Sequence, residues 1–72
     1  MAVIKIKKIM GSSPKSFEDA LGEIVKHAVK EKQNVTGAKI LDKSVRIENG
    51  KIVEYKVTVD IAYLWEKKLH QK

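Results

Sequence analysis

TGAKILDKSVRIENGKIVEYKVTVDIAYLW, residues 36–65, decides the fold. In its second half Val53, Tyr55, Val57, Val59, Ile61, Tyr63 and Trp65 fall on one face, and Glu54, Lys56, Thr58, Asp60 and Ala62 on the other. A period of two is that of a strand with one buried side. Asn49-Gly50 between two such runs predicts a hairpin, because a type I′ turn needs positive φ at both central residues. The ribbon therefore runs from Thr36 to Trp65 and folds back at Asn49-Gly50. Each arm spans about 40 Å at ~3.3 Å per residue.

Upstream, Ala2 to Met10 alternates Ile4 and Ile6 with Lys5 and Lys7 and reads as another strand. Gly11-Ser12-Ser13-Pro14 reads as a turn, with backbone donors that an anion ahead of a helix would use only as the lesser alternative. Ser16 with Asp19 three residues on is a loose helix cap, and Glu18 and Asp19 suit the first turn. Phe17, Ala20, Leu21, Ile24, Val25, Ala28 and Val29 then recur at intervals of three and four. They form the apolar stripe of one helix, from about Phe17 to about Gln33, roughly 25 Å long at 1.5 Å per residue. Asn34 is read as its C-terminal cap.

The order is β-α-β-β: a three-stranded antiparallel sheet curled around one helix, in a single domain over 1–66. Residues 67–72 form a charged, disordered tail. A helix this short cannot cover so long a ribbon. The ribbon must curl, project, or be covered by another subunit. Exposed apolar surface of that extent favours an oligomer.

Composition narrows the function. Seventy-two residues without cysteine have neither disulfides nor thiolate metal sites as staples. No apolar run reaches the length of a membrane span and no signal-peptide core is visible, which leads to the expectation of a cytoplasmic protein. The net charge of +6 is almost all lysine, since Arg46 is the only arginine. Dispersed lysines read as a solvated surface, so a nucleic-acid-binding module ranks last among the readings.

No catalytic constellation is present. His27 and His70 have no nucleophile or metal-ligand spacing to join them. Asp42, Glu48, Glu54 and Asp60 alternate with Lys39, Lys43, Lys51 and Lys56, so cross-strand ion pairing is preferred to a metal site. Tyr63 and Trp65 extend the apolar face and read as core or subunit interface. The expectation is a protein that is not an enzyme.

Two stretches carry a family likeness. The first is Gly11-Ser12-Ser13-Pro14-Lys15-Ser16-Phe17-Glu18-Asp19-Ala20. The second is Ile47-Glu48-Asn49-Gly50-Lys51-Ile52-Val53-Glu54-Tyr55-Lys56-Val57-Thr58-Val59. Together they resemble the dodecins, small flavin-binding proteins, over about Val3 to Leu64. The resemblance implies a hollow homo-oligomer, a dodecamer with helices outside and sheets within. It implies flavin (riboflavin, FMN or FAD) held between subunits as cofactor, and storage or sequestration as function.

By position in the family motif the ligand-binding residues would be Gly37, Lys56, Arg46 and Tyr55. Gly37 stands where the family carries its flavin-stacking tryptophan, and Lys56, directly after Tyr55, where it carries a flavin-edge glutamine. Glycine has no π surface, and lysine donates but does not accept. Lys56 either pairs with Asp42 or Asp60, or joins Arg46 in an inward positive surface for phosphorylated ligands. The alternative function is thus the same shell holding a phosphorylated anion or a divalent cation, or serving as a scaffold.

Overall fold

The computed structural model describes residues 3–32 and 34–65. Strand β1 (Val3–Ser13) leads to helix α1 (Phe17–Glu31), then β2 (Val35–Glu48) and β3 (Lys51–Trp65). The three strands form one antiparallel sheet in the order β1-β3-β2. The helix lies across one face of it, over β1 and β3 more than over β2. The β-α-β-β order, the single helix and the three-stranded antiparallel sheet are as the sequence predicts. The charged tail lies outside the described residues, as do His70 and Gln33.

The hairpin forms at Asn49-Gly50, whose φ values of 53° and 75° are both positive. Its arms hold 14 and 15 residues. The odd-numbered face of β3 meets the helix. Val57, Val59 and Ile61 are buried there against Ala20, Ile24 and Ala28, with Ile9, Phe17, Leu21 and Val35 packed around them. These six fully buried residues are a small core for a chain 56 Å in its longest dimension.

Ser16 caps the helix, its Oγ accepting the Asp19 N–H at 2.9 Å. Ser13 Oγ in turn accepts the Lys15 N–H at 2.9 Å and donates to Asp19 Oδ2 at 2.6 Å. Hydroxyls and carboxylate thus pair with one another at the strand-to-helix connection, among them Ser13, the one buried polar side chain among the described residues.

Two boundaries differ from expectation. Gly11, Ser12 and Ser13 are not a turn: they continue β1, in register with Val57, Lys56 and Tyr55. The glycine is there for closeness. A Cβ at position 11 would lie 2.5 Å from Ile24 Cγ1 and 2.9 Å from its Cδ1. Nor is this segment a backbone cradle ahead of the helix, since its ladder runs to β3. The helix ends at Glu31 with Lys32 as its cap, and Lys32 N–H donates to the Ala28 carbonyl at 2.9 Å. Asn34 does adopt the left-handed conformation, at φ 65°, but just beyond the cap. There its carbonyl accepts the Leu64 N–H at 2.8 Å and steers the chain into β2.

The strand β1 sorts its faces in a way that alternation alone leaves open. Lys7 lies on the helix side, its Nζ 3.3 Å from Glu31 Oε1, and Ile9 reaches the core. Ile4, Ile6 and Met10 point to the other side of the sheet, 53, 58 and 65 % exposed. Strand register fixes this, because Ile9 lies opposite Val59 and Gly11 opposite Val57.

Candidate functional site

The helix-free face of the sheet is the site on which the sequence-predicted ligand residues bear. Partners directly opposite in a ladder share a face, so the pairing resolves this surface into rows across β1, β3 and β2. From one end, Ile4 lies beside Leu64, and the next row is Ile6, Ala62 and Gly37. Lys8, Asp60 and Lys39 follow, then Met10, Thr58 and Asp42, then Ser12, Lys56 and Ser44. Glu54 and Arg46 close the surface where β1 has ended. One end is apolar, the middle is mixed in charge, and the hairpin end is polar.

Gly37 sits in a gap. A Cβ built on it would meet nothing within 4 Å, and its register partner Ala62 adds little bulk. A shift in register between Val35 and Gly37 places it at an irregularity of the edge strand. Near it Thr36 Oγ1 donates to the Ala62 carbonyl at 3.4 Å.

Lys56 lies between two serines, Ser12 and Ser44. No ion pair joins it to Asp42 or Asp60 among the described residues, so neither carboxylate holds it. Its charge does act on Glu54, two residues away on the same strand. Arg46 Nε donates to Glu54 Oε1 across the strands at 3.0 Å, and Arg46 Nη1 pairs with Glu48 Oε2 along its own strand. Hydrogen bonds first from Arg46 and then from Ser12 hold the Glu54 carboxyl below its ordinary 4.5, and the Arg46 and Lys56 charges add to this.

The fourth predicted residue, Tyr55, occupies the opposite face. Its ring meets Phe17 edge to face, centroids 5.1 Å apart at 79°. Lys43 Nζ lies over the Phe17 ring, 5.2 Å from its centroid. The structure therefore brings Gly37, Lys56 and Arg46 to one face and Tyr55 to the other. Even the first three are dispersed: Ala62, opposite Gly37, is six residues along β3 from Lys56, roughly 20 Å at ~3.3 Å per residue. Within one chain the two are therefore not neighbours.

The aromatic end of the ribbon is also on the helix side. Lys5 Nζ lies 4.9 Å from the Trp65 ring and Lys32 Nζ 5.2 Å from that of Tyr63. His27, on the helix flank, has Nε2 3.5 Å from Glu31 Oε2. Hydrogen bonding from Lys7, then its charge and that of His27, lower the Glu31 carboxyl. Among the described residues no three of His, Asp or Glu come together as a metal cage. No described helix is long and apolar enough to cross a membrane.

Sequence reasoning missed Ile4, Ile6 and Met10 as part of this face. The signal was present as period-two alternation in β1; what was missing was the side on which the helix lands.

Residues 3–66 match the family model described as Dodecin. Among curated proteins the chain is 24% identical over 63 residues to the calcium dodecin of Mycobacterium tuberculosis, covering 88% of this chain and 89% of that protein. The crystal structure of that calcium dodecin superimposes with a TM-score of 0.77 at 26% identity, over 90% of this chain and 93% of the other. Dodecin from Streptomyces coelicolor gives a TM-score of 0.87 at 17% identity, over 92% and 94% of the two chains. A variant of Thermus thermophilus dodecin gives 0.88 at 19%, over 93% and 100%.

Proposed function

Because the chain belongs to the dodecin family, we propose that it works as a non-catalytic cytoplasmic homo-oligomer, a dodecamer, that holds a small molecule between subunits. The observation that carries this reading is the helix-free sheet face, on which Ile4, Ile6 and Met10 are more than half exposed. An apolar strip of that kind on an 8.2 kDa chain calls for a covering partner. A second copy of the same chain is the partner that the family supplies. Assembly also answers the spacing of the ligand residues, because Gly37 of one copy and Lys56 of another can flank one molecule.

For the ligand, the family points to a flavin. The residues that would receive it here are a glycine with open space before it and a lysine between two serines. The site as built offers no ring to stack on and an ammonium donor instead. Those features suit a phosphorylated flavin or another phosphorylated anion, steered by Lys56, better than neutral riboflavin, while Arg46 is already paired with Glu54 and Glu48.

The relative named calcium dodecin favours a second reading, a divalent cation. Asp42 and Asp60 lie on the helix-free face. Since no described trio of acidic or imidazole ligands exists in one chain, a calcium site here draws carboxylates from more than one.

Native mass spectrometry of the gently purified protein tests the assembly and the ligand together. A twelve-subunit particle carrying FMN or FAD mass supports the first reading. A particle that takes up Ca²⁺ in calorimetry and leaves FMN fluorescence unquenched supports the second. A monomer at micromolar concentration rejects both.

A further inference from the structure

Strand β1 ends at Ser13, opposite Tyr55, so from Glu54 to the turn the sheet narrows to two strands. Two-stranded ribbons are marginal on their own in water. This one has little packing to help it: Ile47 and Ile52, which face each other in register, are 60 and 48 % exposed. Its ladder is also irregular, with a shift between Arg46 and Ile47 that leaves Val53 without a partner. At the base of this tip stands Arg46, and among the described residues every ion pair of the tip runs through it.

We propose that Arg46, paired to Glu54 across the strands and to Glu48 along its own, is a latch that holds residues 46–54 as an ordered ribbon, and that acid releases it. The groups around the latch come from all three strands. Ser12 of β1 hydrogen-bonds Glu54. Glu48 of β2 lies opposite Lys51 of β3. Lys56 of β3 adds positive charge beside Glu54. The helix packs on the other face and contributes nothing titratable here.

Because these neighbours lower the Glu54 carboxyl below 4.5, the folded tip binds a proton less readily than the open one. The contribution of the latch is therefore complete above about pH 4.5 and fades as pH falls through the lower folded value. Opening frees the Ile47–Ile52 end as a mobile apolar arm while the core over Val57, Val59 and Ile61 stays shut. The ion pairs of the device lie within one chain.

Amide hydrogen exchange of the whole chain, followed by NMR at pH 6.5 and pH 3.0, tests it. Protection factors of residues 47–52 are expected to fall roughly two- to fivefold between the two conditions, the size of an exposed ion pair. Those of Val57, Val59 and Ile61 fall by a smaller factor. Arg46→Gln produces the same loss at pH 6.5 and responds to acid less than wild type, the remainder coming from Ser12 and Lys56 beside Glu54, and Glu54→Gln reproduces most of it. Equal tip protection in wild type and Arg46→Gln at pH 6.5 overturns the latch. So does a wild-type pH response surviving in Arg46→Gln, and so does loss of protection by the same factor in tip and core.

Discussion

A methyl group at position 11 has nowhere to go. The Ile24 side chain lies 2.5 Å from where that carbon would be, and Ile24 itself is buried. Gly11→Ala is expected to cost about 1–3 kcal/mol, the usual penalty of overpacking. In urea unfolding the cost of Ile24→Ala should shrink when alanine already occupies position 11, and strictly additive costs would rule out the clash. Gly37 presents the contrary case. Its φ is not positive and open space lies before it, so a large side chain fits. Gly37→Trp is expected to leave the fold intact and to tighten FMN binding about two- to tenfold in fluorescence quenching, given ~0.5–1.5 kcal/mol for ring stacking. An unchanged affinity would remove position 37 from the ligand site. Both glycines are plain in the sequence. Their reasons are not, because each depends on what a distant segment places in front of it.

At the scale of elements, the helix and the ribbon rest on different supports. The Ser16 cap is local, and Ser16→Ala is expected to cost about 1 kcal/mol by thermal or urea unfolding. Ile61 belongs to the shared core, and Ile61→Ala should cost about 2–5 kcal/mol. The ion pair from Lys7 to Glu31 ties β1 to the helix at its surface, both side chains about half exposed. Exposed pairs contribute little, so Lys7→Met is expected to change stability by less than about 1 kcal/mol. Glu31 is lowered chiefly by Lys7, so its small share of stability is present above pH 4.5 and fades in acid. Stability of Glu31→Gln should accordingly fall less between pH 5 and pH 3 than that of wild type. The hairpin and its turn were legible from residues 36–65, because alternation and Asn49-Gly50 are local signals. The end of β1 was not. Gly11-Ser12-Ser13 has turn chemistry by composition, and only pairing with Val57, Lys56 and Tyr55 makes it a strand.

For the whole molecule the issue is cover. Among the described residues six buried apolar side chains support a sheet that carries Ile4, Ile6 and Met10 on its bare face. If the chain assembles as proposed, Ile6→Lys is expected to shift it to smaller species in analytical ultracentrifugation, with the helical circular dichroism kept. A full-sized particle in that variant would move the interface elsewhere. By itself the sequence determined the β-α-β-β order, the odd-numbered buried face of β3, the turn and the family likeness. Each of these is carried by a short-range period, a dipeptide or a contiguous motif. Only the tertiary structure decided which side of β1 meets the helix, that Tyr55 packs on Phe17 away from Gly37 and Lys56, and that those two stand roughly 20 Å apart in one chain. The reason is that register and helix placement are collective: alternation says which residues share a face, and packing alone says what that face meets.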